Sequence, residues 1–532
     1  CLLLFRAGEI TVRSLGVRSD ALVTPIALCG AWLSGFGYAV WFQAIRPEVY
    51  ALQALVSLFA MERLAAFESR GGRDPRPLYA ATLAVGLGLA NHHVMAFFMF
   101  PALAFSTLRA AARTGLRPLL VCTGLGLLGL CVYAYLPVRA ARHPLANFGD
   151  PRTLARLYWV VSAQVYTRYM GAKSPQPLSE RYADALVELV DHMHGVFLLL
   201  ALFGAYVGLR KPESRRICGL WLACALPMFG IRPWLTALRG NPDAIAYMTS
   251  GFAAVAVLAS AAIAAAASFA PAGSSIERRL RFPLWAVAAL VLALGVGRGY
   301  SRFDLSRFHA TDLFDDYRER DLPTRSVVVA TTPQTVFRHL ELAATDVVRP
   351  DIEVIPVPFL RYPGVAEAVV RRYPDLKEIV AAFLGTEQVS YAALSRLAER
   401  RPVLTELDTH LPPDAFRTLL PMGLLFASVQ PDTATAMLTP AALLQGRVYQ
   451  RIERDLGAGV SEVETSRQLL WLHYMDAVFY AARGERAHAD ASLRAALRLQ
   501  PQDLQLRALQ AALADPAQPA ALDVRPFLAF GE

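Results

Sequence analysis

Polar side chains interrupt the apolar first 300 residues at four places, and these are the positions where chemistry is possible. Such groups are costly at membrane depth, so they usually face a cavity or a partner. The first cluster, in GYAVWFQAIRPEVYAL at 37–52, contains Arg46 and Glu48. The functional interpretation is that the Glu48 carboxylate and Arg46 face a polar headgroup. The structural alternative is a helix cap with aromatic anchors at the membrane interface.

The second cluster, in AVGLGLANHHVMAFFMFPAL, contains Asn91, His92 and His93. Two adjacent histidines cannot face one ligand on a regular helix, which argues against a metal pair. We therefore expect a break between two short helices. The three side chains then either line a cavity or make structural hydrogen bonds. No ligand spacing in the chain favours a metal site, and no cofactor is expected.

The third and fourth clusters combine arginine with polar turn residues. YLPVRAARHPLANFGDPRTLARLYWVV, at 135–161, carries Arg139 and Arg142, whose guanidinium forks suit phosphate, followed by Asn147 and Asp150. An interfacial helix that binds bulk lipid headgroups is the alternative. RPWLTALRGNPDAIAYMTS, at 232–250, places three further candidates before an Ala-rich helix: Arg239, Asp243 and Tyr247. Taken alone, Asp243 is typical of a helix N-terminus.

The composition indicates which elements position these clusters. The chain has 532 residues, of which 55% are hydrophobic and only 18% charged, against about 25% charged in ordinary globular proteins. Long uncharged runs before residue 300 predict a polytopic α-helical membrane domain over 1–299, with about nine helices. The predicted spanning segments are 21–41, 48–66, 78–91, 93–108, 118–136, 195–209, 217–231, 244–268 and 283–298.

Basic residues predict the orientation of these segments. Arg-rich connections near 6–18, 63–76, 109–117, 210–216 and 278–281 alternate with connections that hold few basic residues. The positive-inside rule places the Arg-rich set in the cytoplasm. The long loop 137–194 and everything after residue 300 are then extracytoplasmic, and a bacterial inner membrane is expected. The net charge of +9 is therefore interpreted as a cytoplasmic fringe and not as nucleic-acid binding.

The remainder of the chain reads as a soluble extracytoplasmic region in two parts. Residues 300–445 predict an α/β module, because SVVVATTPQTVFRHL and RPDIEVIPVPFL form a strand–helix–strand pattern. Thr331, Thr332 and Gln334 follow its first strand, where ligands bind in some α/β folds, although a structural role is favoured without a Gly-rich fingerprint. Residues 446–532 predict a helical region with one tetratricopeptide-like repeat and a tail. That single repeat either packs on the preceding module or docks an acceptor chain.

The order of four motifs makes a family resemblance visible. WFQAIRPEVYAL, GLANHHVMAFFMFPAL, LPVRAARHPLANFGDPRTL and DAIAYMTSGFAAVAVLA resemble the membrane domain of protein O-mannosyltransferase-like enzymes, a family long labelled a domain of unknown function. These are GT-C-type integral membrane glycosyltransferases. The resemblance covers about residues 1–300 and, weakly, the segment after Arg325.

The resemblance implies transfer of a sugar, with mannose as a candidate, from a polyprenyl-phosphate donor to a protein or glycan acceptor on the exported face. Membrane lipids are further expected partners. GT-C enzymes characteristically carry a catalytic Asp or Glu in their first exported loop, so the chain is expected to lack the first helix and loop. Under this interpretation, Glu48 matches an acidic position of the family motif and assists catalysis. The other candidates divide into donor-phosphate ligands, Arg139, Arg142, Arg46 and Arg239, and cavity residues, Asn91, His92, His93, Asn147, Asp150, Asp243 and Tyr247.

Two other functions remain open at this stage. A transporter or flippase would be favoured by an internal repeat of the membrane half and by charged residues at mid-bilayer. A membrane scaffold would use the helical C-terminal region to recruit partners.

The predicted topology can be tested by cysteine labelling. A cysteine introduced at Asp150 should react with a membrane-impermeant thiol reagent added from outside, and one introduced at Ser214 should not. The opposite pattern would contradict the orientation.

Overall fold

The structure is a computed structural model, and it divides into two compact units. It describes residues 1–46, 48–144, 146–165, 177–234, 242–306, 309, 314, 318, 322–345, 349–407, 413–456 and 463–528. The helical unit comprises Cys1–Leu136 and Tyr158–Asp304. The α/β unit comprises Pro137–Leu157 and Leu305–Glu532.

Helices account for nearly all of the helical unit. In chain order, with the connecting segment 137–157 included, they are α1 (Leu2–Ser14), α2 (Asp20–Gly35), α3 (Tyr38–Ile45), α4 (Tyr50–Ser69), α5 (Arg76–Phe97), α6 (Phe100–Thr114), α7 (Arg117–Leu130), α8 (Tyr135–Ala140), α9 (Leu154–Val161), α10 (Leu178–Met193), α11 (Gly195–Arg210), α12 (Arg215–Ile231), α13 (Pro242–Tyr247), α14 (Thr249–Ala267) and α15 (Ser275–Phe303).

Several of these helices are suited to a membrane. Among the described residues, five are long and apolar enough to cross one: α4, α5, the run Arg117–Ala140, α14 and Ser275–Tyr300 of α15. The count rises to seven if two bent pairs are each one span, namely α2 with α3 at 57° and α10 with α11 at 98°. Each of the nine predicted segments falls on helix, but α6 and α12 are shorter than a full crossing. The expectation of nine crossings is thus higher than this length and composition test supports.

The Ala-rich helix α14 is the centre of the helical unit. Its residues are almost all buried, and it packs against α2, α11 and α12. Glycines on the neighbours allow this close packing: a Cβ at Gly204 of α11 would collide with the Leu258 carbonyl oxygen, and one at Gly30 of α2 would collide with Ser260. Small residues let membrane helices approach closely, and α14 is used in this way.

Two stretches that we predicted as connections are helical. The Arg6–Arg18 connection is mostly α1, which buries Leu4 and Thr11 against its neighbours, and Trp221 Nε1 donates to Thr11 Oγ1 at 2.9 Å. The predicted loop 137–194 contains α9 and α10. Both α1 and α10 are amphipathic, so a search for continuous apolar runs does not detect them.

The α/β unit contains a five-stranded mixed sheet. Its elements are β1 (Val327–Ala330), α16 (Pro333–Ala344), β2 (Glu353–Pro356), α17 (Val365–Arg372), α18 (Lys377–Thr386), α19 (Tyr391–Ala398), β3 (Val403–Thr405), β4 (Leu419–Met422), β5 (Leu425–Ser428), α20 (Pro431–Leu456), α21 (Val463–Ala482), α22 (Arg486–Leu499) and α23 (Leu504–Ala514). The strand order is β2-β1-β3-β5-β4. The first three strands are parallel, and β5 pairs antiparallel with β3 and β4. The predicted strand–helix–strand pattern is therefore present as β1, α16 and β2.

The helices after the sheet share its hydrophobic core. Ala477 and Tyr480 of α21 and Leu493 and Ala496 of α22 are buried there, and α21 packs against α22. This pair covers the stretch we predicted to be tetratricopeptide-like. Packing into a common core is consistent with the structural alternative, while the repeat itself stays a prediction.

A buried polar network joins α20 to α21. Gln445 donates through Nε2 to Asp476 Oδ1 at 3.1 Å, and the Tyr480 hydroxyl donates to Gln445 Oε1 at 2.8 Å. Asp476 is only 3% exposed. Burial raises the pKa of this carboxyl to about 7, because the charged form loses its hydration. Burial therefore favours the protonated form of Asp476 and outweighs the hydrogen bond from Gln445, which favours the charged form.

This carboxyl should make the α/β unit less stable as the pH rises. An unfolded aspartate has a pKa of about 4, so the unfolded chain releases this proton first and stability is lost between about pH 4 and pH 7. The difference between the two pKa values corresponds to roughly 4 kcal/mol. Asp476→Asn should raise the unfolding temperature at pH 8 and flatten its decline from pH 5, measured by scanning fluorimetry in lipid nanodiscs. Asp490→Asn, on a partly exposed residue of α22, is the control. Equal pH dependence in both variants would contradict the assignment.

The cysteine-labelling test of the topology is more informative at exposed positions. Asp150 is 2% exposed and Ser214 is fully buried, so either cysteine would react slowly for reasons unrelated to the membrane. Ala146 and Glu213 are exposed neighbours. In a background with the native cysteines replaced, Ala146→Cys should be labelled from outside and Glu213→Cys only after the membrane is opened.

Candidate functional site

Three of the four polar clusters meet in the helical unit, and Arg46 is central to them. Its Nη1 lies 3.1 Å from Oδ1 of Asp243, which is 197 positions away in the chain. The same nitrogen donates to Gln43 Oε1 at 3.2 Å. The guanidinium also lies over the rings of Phe42 and Tyr50, with its carbon 5.5 and 6.0 Å from the centroids. Groups from α3, α4 and α13 thus hold one cation in place.

The break in α5 orients His92 toward this cluster. His92 has φ −150° and ψ 91°, which confirms the break we predicted, although α5 continues to Phe97 beyond the kink. Its Nδ1 accepts the Met95 N–H at 3.3 Å. A neutral imidazole in this arrangement carries its proton on Nε2, which can donate to a ligand. The His92 ring centroid lies 5.4 Å from that of Tyr50 and 5.0 Å from that of Tyr247.

Asn91 connects α5 to the beginning of α4. Its Nδ2 donates to the Val49 carbonyl and to Gln53 Oε1, both at 3.1 Å. Gln53 is almost fully buried and donates onward to Ser57 Oγ at 3.4 Å. The amide therefore holds α5, next to its kink, against the start of α4 beside Arg46. His93 lies on the other side of the kink, 6.2 Å from the Phe97 ring.

We call the group Arg46, Tyr50, Asn91, His92, Asp243 and Tyr247 the Arg46 junction. It presents a cation, a carboxylate, an amide, an imidazole and two phenol rings, contributed by α4, α5, α13 and the end of α3. The side chain of Arg46 is 22% exposed and that of Asp243 is 42% exposed, so a ligand can reach both. Such a set can bind an anion together with a polyhydroxylated group. Glu48, two positions from Arg46, is exposed at its edge.

The third cluster belongs to the other unit. Arg139 and Arg142 are exposed, and Asn147 and Asp150 pack within the α/β unit. Arg239, the remaining candidate, lies outside the described residues. The structure thus brings together Arg46, Asn91, His92, Asp243 and Tyr247, and it groups Asn147 with Asp150.

Asp150 is tightly bound inside the 137–157 segment. Its Oδ1 accepts from Asn147 at 3.0 Å and from Arg152 at 2.7 Å, and its Oδ2 accepts from Arg152 at 2.6 Å and Arg156 at 2.5 Å. The Arg152 hydrogen bonds are the largest cause of a lowered pKa for this carboxyl. A side chain at Gly364, which has φ +82°, would collide with Asp150. Asp150 thus holds the segment against the start of α17.

The ligand position expected at the end of β1 is filled by the protein itself. Glu406 Oε2 accepts the backbone N–H groups of Thr331 and Thr332 at 2.8 and 2.9 Å, and Oε1 accepts the Thr335 hydroxyl at 2.5 Å. A helix N-terminus with free N–H groups is an anion site. Here the buried Glu406 carboxylate is the anion, in agreement with the structural role favoured for these threonines.

A basic group at the end of α15 was not among the predicted site residues. Arg302 lies over the ring of Tyr38, 5.4 Å from its centroid, and Tyr38 stacks on His192 at 5.1 Å. Arg298 contacts His194 Nδ1 at 3.2 Å. These residues line a cavity of about 60 Å³ in the helical unit. The sequence does show Arg298 and Arg302 at the end of an apolar run. A count of basic residues in the connections treats arginines at that position as flanking a membrane helix and not as site residues.

The comparisons with known proteins agree with part of this picture. Residues 5–114 match the family described as Protein O-mannosyl-transferase TMEM260 N-terminal domain. Searches of curated proteins and of solved structures find no significant similarity to the chain. The matched segment runs from α1 through α6 and contains Arg46, Glu48, Asn91, His92 and His93. The resemblance to a protein O-mannosyltransferase-like family is thereby confirmed, and residues 5–114 are identified as similar to the N-terminal domain of that family.

Proposed function

We propose that the protein is a membrane glycosyltransferase that moves a sugar, with mannose the first candidate, from a polyprenyl phosphate to a hydroxyl of an acceptor protein. The match over residues 5–114 carries this proposal, because the matched segment includes four of the six residues of the Arg46 junction. In the proposed topology, the reaction takes place on the extracytoplasmic face. The donor lipid is held by a GT-C-like membrane domain.

Arg46 is proposed to bind the donor phosphate. Its Nη1 is used by Gln43 and Asp243, while Nε and Nη2 make no hydrogen bond to the described residues. Those N–H groups suit two phosphate oxygens, and charge-assisted bonds of this kind strengthen as the leaving group gains charge. Asp243 fixes the orientation of the fork. For Arg139, Arg142 and Arg239, binding of the donor phosphate stays a prediction from the sequence.

Glu48 is proposed to assist catalysis by taking the proton of the acceptor hydroxyl. Transfer with inversion at the sugar C1 requires a carboxylate that takes the proton of the acceptor hydroxyl. The hydroxyl oxygen bonds to C1 while the bond from C1 to the phosphate oxygen breaks. Among the carboxylates beside the junction, Asp243 is bound by Arg46, whereas Glu48 is exposed and has no ion pair with a described residue.

The remaining candidates are proposed to hold the sugar and the acceptor. Asn91, His92, His93 and Tyr247 offer hydrogen bonds and ring faces around Arg46. For Asn147 and Asp150, in the 137–157 segment, a role in binding the sugar or the acceptor stays a prediction from the sequence. A transporter or a scaffold would not transfer a sugar to an acceptor. Sugar-transfer activity therefore distinguishes the enzyme from these two alternatives.

Loss of Arg46 should reduce sugar transfer. We expect Arg46→Gln to lower kcat/KM by roughly 100-fold, the usual effect of removing one donor to a developing charge. Transfer is measured in proteoliposomes with a radiolabelled mannosyl polyprenyl phosphate and a serine- and threonine-containing peptide. Arg46→Lys should recover part of the rate. Arg63→Gln is the control, because Arg63 pairs with the adjacent Glu62 on α4.

Unchanged transfer by Arg46→Gln would remove Arg46 from the site. Arg139→Ala is also expected to weaken transfer strongly, and full activity of that variant would remove Arg139. No transfer by the wild-type protein with any donor, accompanied by transport of the lipid across the bilayer, would replace the enzyme by a flippase.

The two carboxylates can be separated by their neutral variants. Glu48→Gln should reduce kcat by about 100-fold or more, because the proton acceptor is lost. Asp243→Asn keeps an oxygen for Arg46 and should cause a smaller loss of kcat. The reverse ranking would assign the base to Asp243.

A further inference from the structure

The α/β unit contains a cavity of about 300 Å³ that none of the groups assigned above explains. One wall is the 137–157 segment, and the others come from α16, β2 and α17. The floor is apolar and is made by Phe148, Val336, Leu340, Val354, Val369 and Tyr373. This volume is about twice the ~150 Å³ cavity that holds a benzene ring, and it is at the lower limit for small-ligand sites.

The rim of this cavity is cationic. Arg371 and Arg372, in the last turn of α17, are both exposed, and His143 from the opposite segment is exposed as well. Arg371 Nη1 lies 2.9 Å from His143 Nδ1, so two basic side chains meet across the opening. The Arg372 guanidinium lies over the Tyr373 ring, 5.4 Å from its centroid.

Carboxylates near the rim are bound by other arginines. Arg156 contacts both Asp150 and Glu367, at 2.5 and 3.1 Å. Arg401 binds Glu353 and Asp375. Arg371 and Arg372 form no ion pair with a carboxylate in the part of the chain that the structure describes. The rim therefore has positive charge that is not balanced locally, directly above an apolar floor.

We propose that this cavity is a docking site for the acceptor polypeptide, and that it takes a large apolar side chain next to a carboxylate. The floor buries the apolar side chain, which contributes free energy in proportion to the area removed from water. The forks of Arg371 and Arg372 bind the carboxylate. A cavity of this size holds one or two side chains but not a long polyprenyl chain, which favours a peptide over a lipid. The inference rests on the proposed function, since it names the acceptor of that reaction.

The test is peptide binding to the full-length protein in nanodiscs, with no donor present. The probe is the hexapeptide Gly-Ser-Phe-Asp-Ser-Gly with 4-fluorophenylalanine in place of phenylalanine, followed by fluorine-19 NMR. We expect saturable binding that shifts the fluorine resonance as the ring enters the cavity. Replacing the peptide aspartate by asparagine should weaken binding about tenfold, since one charge-assisted contact is worth about that factor.

Variants of the protein locate the binding. Arg371→Gln and Arg372→Gln should each weaken binding about tenfold, and Ala368→Trp, at the cavity wall, should abolish it. Arg396→Gln is the matched control, because Arg396 is an exposed arginine of the same unit that pairs with Glu378. The proposal would be overturned if neither replacement of the peptide aspartate nor Arg371→Gln changed the affinity for the peptide. Binding of geranyl phosphate at this cavity, lost in Ala368→Trp, with no binding of the peptide would also overturn it.

The outcome is independent of the transferase assay. If the peptide binds as expected and no sugar is transferred from any donor, the proposed function fails and the docking site stands. If sugar is transferred equally well to peptides with and without the Phe-Asp pair, the docking site fails and the transferase stands.

Discussion

The ion pair between Arg46 and Asp243 is the constraint on which the candidate site depends. It joins the end of α3 to the beginning of α13 across 197 positions of sequence. Removing one partner of a partly buried pair leaves the other charge poorly compensated, so the two residues are expected to act together. The kink at His92 and the Asn91 amide then bring α5 to the same point. The rings of Tyr50, His92 and Tyr247 also contact one another there.

In the α/β unit, buried carboxylates are also held by partners from the chain, but there they serve structure. Asp150 and Glu406 are buried carboxylates, and each is surrounded by donors from the chain itself. Their hydrogen-bonding capacity is used to hold a segment or to cap α16. Asp476 is the exception, because its neighbours are neutral and its pKa is raised by burial. The rim of the 137–157 cavity differs from these networks, because Arg371 and Arg372 have no carboxylate partner in the described chain and lie beside an apolar cavity.

Sequence reasoning identified the polar clusters because charge and amide groups are conspicuous in apolar runs. It also predicted the break at His92, since two adjacent histidines do not suit a regular helix. It could not predict which clusters meet, because the Arg46–Asp243 contact depends on the packing of helices far apart in the chain. The arginines at 139 and 142 illustrate this limit: their spacing suits phosphate, yet the structure groups that segment with the α/β unit. Amphipathic helices such as α1 were missed because hydropathy averages their two faces.

The central claim is that the Arg46 junction binds the phosphate of a lipid-linked sugar. The most direct measurement is photo-crosslinking of the wild-type protein in membranes with a polyprenyl phosphate that carries a diazirine beside the phosphate, followed by peptide mapping. The account predicts adducts in the peptides that contain Tyr38–Tyr50 and Asp243–Tyr247, lost in Arg46→Gln and retained in Arg63→Gln. Adducts that are absent from both peptides, or that persist unchanged in Arg46→Gln, would contradict it.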